Sequence, residues 1–276
     1  MQNNKPIWIK KPKNTDNYKT KLFVATPVHS EVSIHFTQTM LELQKECMKR
    51  DILVTFQLMK SSLVTQGRNL CVSAFLQTDY THLLFVDSDI AFDVDSIFKM
   101  INKDKEIISQ PYPIKTAKWE NLITKIEGGL IKEPKHCQFH INQYPILLED
   151  EEHDVKCKEG VIEVTHAPTG CMLIQRQVFD KLIKAYPNMD IVQKTVIDGE
   201  FKDRPHFYAF FDTYYDPENK RYYGEDFAFC RLWKNIGGKL YCYILDYITH
   251  VGEFQYTGRL YDEMTKQVVE KPAQSE

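Results

Sequence analysis

The first concentration of apolar positions along the chain is Lys21 to Val28 (KLFVATPV), a short run closed by Pro27. A run of that length ending at a breaker predicts a buried strand. Phe36, Met40, Leu43 and Cys47 then recur at i, i+4, i+7 and i+11, the stripe of an amphipathic helix. Ile52 to Leu58 is rich in β-formers and predicts a second strand. Gln66 to Gln77 predicts a helix with Leu70, Cys71, Ala74 and Phe75 facing inward. His82 to Val86 (HLLFV) predicts a third strand, buried on both faces, followed by a short helix over Val94 to Ile101 and a short strand over Glu106 to Gln110. Beyond residue 110 the pattern loosens. Lys118 to Glu163 is irregular and charged, and is expected to form an inserted hairpin or a lid. Regularity returns with a strand at Gly170 to Ile174. A helix at Phe227 to Ile236 places Phe229, Trp233 and Ile236 on one side and stops at Gly237-Gly238; a late strand follows at Leu240 to Leu245.

Strand, helix, strand, helix, strand at this spacing predicts an α/β fold. Its Rossmann-like central sheet should be mixed, mainly parallel, and covered by helices on both faces. Ligands of such sheets gather at the carboxyl ends of the strands. Three segments are expected: a flexible leader over residues 1–20, one domain over 21–262 and a polar tail over 263–276.

Composition narrows the function classes. Thirty-five Lys and Arg against 38 Asp and Glu give a net charge of −3, unlike the basic face of a nucleic-acid binder. No run approaches about 18 consecutive apolar residues, so no membrane span is expected. The polar N-terminus lacks an apolar signal core, which points to the cytoplasm. The seven cysteines include no C-x-x-C pair and are expected to be reduced core residues. His136, Cys137, His140, His153 and Cys157 lie close in sequence, but their spacing matches no familiar zinc pattern.

The sharpest chemical signal is Asp87-Ser88-Asp89, directly after HLLFV. In an extended segment, side chains at i and i+2 point the same way, so two carboxylates emerge together from the end of a central strand. Carboxylates favour hard cations such as Mg²⁺ or Mn²⁺, which in turn bridge phosphate oxygens. The plainer reading is that Asp89 caps a turn, or that both acids are solvated. A second group, Tyr223-Gly224-Glu225-Asp226, opens the Trp233 helix. Acids there complement the helix dipole, or one of them is a general base. His250, in Tyr247-Ile248-Thr249-His250-Val251-Gly252, is either a structural histidine or a ligand for an ion such as Mn²⁺. At least half of the aromatics His206, Phe207, Tyr208, Phe210, Phe211, Tyr214, Tyr215, Tyr222 and Tyr223 are expected to be core, with the remainder available as a platform for sugar C–H faces.

The order of these pieces resembles the GT-A glycosyltransferases: Thr26-Pro27 on an early strand, Asp87-Ser88-Asp89 on a central one, Gly224-Glu225-Asp226 on a helix and a strand ending near His250. Thr169-Gly170-Cys171-Met172-Leu173, and Arg231-Leu232-Trp233 followed by Gly237-Gly238-Lys239, add to the likeness, which covers about residues 21–258. Within that group the chain is most similar to viral and phage-type enzymes. It is more distantly similar to collagen-modifying sugar transferases, through Arg68-Asn69-Leu70 and the Asp-x-Asp strand.

The resemblance implies a metal-dependent transfer from a UDP- or GDP-sugar to a glycan or protein hydroxyl, with Mn²⁺ or Mg²⁺ as cofactor. It implies that Asp89 ligates the metal, that Asp87 faces the donor ribose or a metal-bound water, and that His250 completes the metal shell. Thr26, Pro27 and Val28 would line the base and ribose, with Ser88 beside them. Arg68 would meet phosphate oxygens, its plainer reading being a surface charge. Asp226 would be the base of an inverting reaction, with Glu225 as the alternative. Two other functions fit the same fold: a catalytically silent nucleotide-sugar or glycan-binding module, which needs no base, and a sugar nucleotidyltransferase. The latter usually has a glycine-rich phosphate loop, and Thr26-Pro27-Val28-His29-Ser30 has no glycine.

Overall fold

The computed structural model describes residues 18–120, 122–148, 154–197 and 200–253. Most of the expected leader, the end of the expected domain from residue 254 and the whole expected tail lie outside the described residues. In order, the elements are β1 (Lys21–Val28), α1 (Ile34–Lys49), β2 (Leu53–Lys60), α2 (Val64–Leu76), β3 (His82–Val86), β4 (Ile90–Phe92), α3 (Asp95–Asn102) and β5 (Ile107–Ser109). Then come α4 (Leu122–Glu127), α5 (Cys137–His140), β6 (Val161–Val164), β7 (Cys171–Gln175), α6 (Arg176–Ala185), β8 (Lys194–Ile197) and β9 (Glu200–Asp203). The last are β10 (Tyr214–Asp216), β11 (Arg221–Tyr223), α7 (Glu225–Asn235), β12 (Leu240–Tyr243) and β13 (Ile248–His250).

Seven strands form one sheet in the order β2-β1-β3-β7-β5-β12-β6. Five share a direction, while β7 runs antiparallel between β3 and β5 and β6 runs antiparallel at the edge. The sheet is therefore mixed and mainly parallel, as the sequence pattern predicts. β2 and β3 flank β1 on opposite sides, so the β1-to-β2 and β2-to-β3 crossovers run across the sheet in opposite directions. Right-handed connections then put α1 and α2 on opposite faces. Packing follows the alternation of the strands. Leu22 and Val24 of β1, with Leu84 and Val86 of β3, meet Phe36, Met40, Leu43 and Cys47 of α1. Phe23, Ala25, Leu83 and Phe85 face Cys71, Val72 and Phe75 of α2, together with Phe179 of α6 and Phe229 and Trp233 of α7. Each such side chain fully buried contributes about 1.5–3 kcal/mol.

Local signals fix the helix ends. The Ser33 hydroxyl accepts the Phe36 amide at 3.0 Å and caps α1, and Lys49 sits in its last turn against the negative end of the dipole. The stretch expected to be a hairpin or lid instead supplies the short helices α4 and α5 and, from Val161, the edge strand β6. Five cysteines (47, 71, 171, 230 and 242) are buried and free, as expected of reduced core residues; Cys157 is exposed and Cys137 half-buried. No described helix is long and apolar enough to cross a membrane.

Candidate active site at the carboxyl ends of β1 and β3

Thr26, Pro27 and Val28 stand at the carboxyl end of β1, next to β3, where the strand order reverses. Thr26 is buried, so of these three only Pro27 and Val28 present surface. α2 packs close to the end of β1 because residue 67 is glycine: a Cβ there would lie 3.1 Å from the Pro27 Cβ. That approach brings Arg68 into the interior beside the end of β1. Arg68 is only 3% exposed, which removes the surface-charge reading.

The Arg68 guanidinium joins two acids from distant parts of the chain. Nε donates to Glu225 Oε1 at 3.1 Å. Nη2 donates to Asp87 Oδ2 at 3.2 Å and lies 3.0 Å from Oδ1 as an ion pair without hydrogen-bond alignment. The guanidinium carbon sits 5.3 Å over the Phe85 ring. Burial opposes its charge, but Asp87 and then Glu225 outweigh that and raise its pKa further. Nη1 and Asp87 Oδ1 are buried without an aligned partner, a cost of about 1–3 kcal/mol for each such group.

A two-stranded ribbon brings the second half of the site together. β13 pairs antiparallel with β4, setting His250 opposite Ile90, and the Val251 amide donates to the Asp89 carbonyl at 2.8 Å. His250 Nε2 consequently lies 3.4 Å from Asp89 Oδ2. Since a carbonyl can only accept, His250 Nδ1 donates to Pro113 O at 2.9 Å, and the ring packs edge-on to Tyr112 at 5.0 Å. Held that way, the ring turns Nε2 toward the Asp89 carboxylate, where a proton or a cation can sit between the two. Lys115 pairs with the same carboxylate and is 44% exposed. Ser88 completes the turn, its carbonyl accepting the Ser33 amide at 2.8 Å at the start of α1.

Burial would raise the Asp89 carboxyl, but hydrogen bonds and charge from His250 and Lys115 more than offset it and hold it at about 2. The folded value lies below the ordinary 3.8, so the contribution is present above pH ~4 and is lost as pH falls from ~4 toward ~2. In urea unfolding across that range, Asp89→Asn is expected to flatten the acid decline; an unchanged slope would show that the Asp89 contacts do not stabilise the fold.

The third part is the start of α7. Asp226 Oδ1 accepts the Phe227 amide at 2.8 Å, and Oδ2 lies 3.5 Å from Nε2 of His166, a residue only 2% exposed. That distance makes the pair an electrostatic contact rather than an aligned hydrogen bond. Burial pushes the Asp226 carboxyl up, while His166, the Phe227 amide and Arg68 pull it down, and the net direction is down. Tyr112 closes the space between the two halves. Burial and then the Asp87 charge push its phenol up. Residue 170 must be glycine here, since a Cβ would lie 2.5 Å from Tyr112 Cε1.

Arg68 therefore ties Asp87 to Glu225, Asp89 meets His250 through β4 and β13, and Asp226 follows Glu225 on α7, while Thr26 is buried away from them. Asp87, Asp89 and His250 do not close into a three-ligand cluster; among the described residues no such set of His, Cys, Asp and Glu is found. Asp89 and His250 stand side by side as two donors that could share a cation only with further ligands supplied from elsewhere. A groove of about 500 Å³ between α1 and the β4–α3 turn, lined by Glu42, Glu46, Arg50, Asp93 and Asp95 among others, is separate from these residues.

No family model matches the chain, and no curated protein matches it. Among solved structures it is similar to A197 from STIV, at 17% identity over 85% of this chain and 86% of that one, with a TM-score of 0.45. It is also similar to a glycosyltransferase involved in glycosylation of the major capsid of PBCV-1, at 9% identity, 60% and 66% coverage and a TM-score of 0.28. A third is a putative glucose-1-phosphate thymidylyltransferase from Bacillus anthracis in complex with a sucrose, at 11% identity, 84% and 89% coverage and a TM-score of 0.37. The α/β assignment rests on the strand order and pairing of this chain, not on these likenesses.

Sequence reasoning missed His166, Tyr112 and Lys115. Fewer residues of the aromatic segment are core than the half expected: Phe207, Tyr208, Phe210 and Phe211 are buried, Tyr223 is half-buried, and His206, Tyr214, Tyr215 and Tyr222 are exposed. Asp216 is a turn residue, accepting the Glu218 and Asn219 amides at 3.0 and 3.2 Å. Asp212 accepts Asn69 Nδ2 at 3.3 Å, while Asn69 Oδ1 takes the Phe211 amide at 2.9 Å, anchoring that segment to α2.

Proposed function

We propose that this chain is a glycosyltransferase of the GT-A kind, moving a sugar from a UDP- or GDP-sugar to a hydroxyl of a glycan or protein with inversion. The observation that carries this reading is the meeting of Asp89 and His250 at the carboxyl end of β3, beside an acid-bearing helix start. Two acids on a strand end and an imidazole from a remote ribbon are more than folding requires. Asp89 and His250 would hold Mn²⁺ or Mg²⁺, with Asp87 toward the donor. When bound, the cation acts as a Lewis acid on the departing diphosphate.

The chain's own groups do the rest. Pro27 and Val28 form a wall for the base and ribose. Arg68 holds Asp87 in place and leaves one buried N–H for a donor oxygen; its two carboxylate contacts make it a clamp as much as a phosphate ligand. Glu225 is engaged by Arg68, which leaves Asp226 to take the proton of the acceptor hydroxyl as that oxygen attacks C1. The exposed tyrosines of the β10–β11 hairpin lie just ahead of α7, where an acceptor sugar could pack against them.

Calorimetric titration of the protein with UDP and with GDP, each with and without Mn²⁺, tests the reading. Binding of one nucleotide that depends on the metal is the expected result. Equal affinity with and without Mn²⁺ for both would remove the metal assignment, and no binding of either would remove the donor class.

A further inference from the structure

α7 opens on two adjacent acids, and a helix turns about 100° per residue, so they face different neighbours. Glu225 meets Arg68, and Asp226 meets His166. These partners differ in kind. A guanidinium does not release its proton, whereas an imidazole can hold or give one near neutral pH.

The His166 ring is held from several sides. It stacks on Phe227 with ring centroids 3.4 Å apart and planes at 12°. The backbone on either side is tied down: Leu147 N donates to His166 O at 3.3 Å, and Cys230 Sγ of α7 donates to Ala167 O at 3.5 Å. His166 is 98% buried by its 2% exposure, yet neither ring nitrogen has an aligned hydrogen bond among the described residues; its polar contact is Asp226. A buried ring kept in this state needs an explanation beyond packing, because a phenylalanine would fill the same space without unpaired nitrogens.

We propose that His166 is the positioning residue of Asp226: it orients the Asp226 carboxylate and shares the single proton which that carboxylate receives, while Glu225 serves as the counter-ion of Arg68. This rests on the transfer reading above and deepens it by separating the two acids. In the step, the acceptor O–H bond breaks and its proton passes to Asp226 Oδ, held toward His166 Nε2. The oxygen's electron pair forms the new bond to C1, and the pair of the broken C1–O bond leaves with the diphosphate. Other groups facing the pair are Arg68 from α2, Tyr112 from the segment after β5, and Glu225 and the Cys230 thiol from α7 itself.

The test has one arm independent of turnover. In ¹H–¹⁵N spectra of the histidine rings near neutral pH, Asp226→Asn is expected to move the His166 nitrogen resonances, while Glu225→Gln leaves them in place. Resonances unmoved by Asp226→Asn overturn the pairing. In the second arm, His166→Gln is expected to lower kcat ~10–100-fold with UDP or GDP affinity kept. The acid limb of kcat/KM should move to higher pH, because Asp226 loses the neighbour that lowers it. An unmoved acid limb, or a loss confined to nucleotide affinity, overturns the positioning role. If His166→Gln does not fold, the Asp226→Asn spectra still decide. Coupled resonances in a protein that turns over no UDP- or GDP-sugar support the pair and sink the transfer reading instead.

Discussion

Arg68→Met is expected to lower the unfolding free energy by about 3 kcal/mol, read as a shift of the urea midpoint at constant slope. The guanidinium is 3% exposed and balances Asp87 and Glu225, whose side chains are 25% and 16% exposed. Removing it leaves both carboxylates without their shared counter-ion. Breaking a buried pair from one side costs roughly 3–5 kcal/mol, and the partial exposure of both acids places this case at the low end. Adding Asp87→Asn and Glu225→Gln to the same variant should recover most of the loss, because no uncompensated charge then remains. A single Arg68→Met variant as stable as the parent would show that the acids are solvated and that the clamp is not structural.

Asp89→Ala and His250→Ala are each expected to weaken Mn²⁺-dependent binding of UDP or GDP by at least ~100-fold, since outer-shell partners of a metal ligand alone are worth 10–100-fold. Stability should change little, by roughly 1 kcal/mol or less, because the Asp89 side chain is 33% exposed and its ion pairs are screened. The two variants should behave alike, as two donors to one cation. Calorimetry at matched metal concentrations measures this, and full affinity in both would falsify the assignment of Asp89 and His250 as ligands.

The parts of the fold that were legible in the sequence are those fixed by local periodicity. β1, α1 and β3 follow the apolar pattern closely, because each buries a stripe or a whole run against the same sheet. The antiparallel insertion of β7 was not legible: CMLIQ is apolar in either direction, and only its pairing with β3 and β5 reveals its sense. The β4–β13 ribbon was missed for a related reason. Three-residue strands carry almost no pattern, and their partner lies far along the chain. Among the site residues, Asp87, Asp89, Glu225 and Asp226 announced themselves as acids beside regular elements. His166 did not, since it follows a four-residue edge strand and its meaning depends on Asp226 arriving from α7. Arg68 was legible as a residue but not in its setting, because burial came from Gly67 letting α2 approach Pro27.

The ribbon that carries His250 also sets an order on assembly. β12 is the last strand of the seven-stranded sheet and ends at Tyr243, so a nascent polypeptide that has emerged to that point already holds every strand of the sheet and all four acids. The imidazole emerges only afterwards, zipping onto β4. Scaffold and ribbon are thus separable in time: a chain interrupted between the two carries every strand of the sheet and lacks the imidazole that meets Asp89.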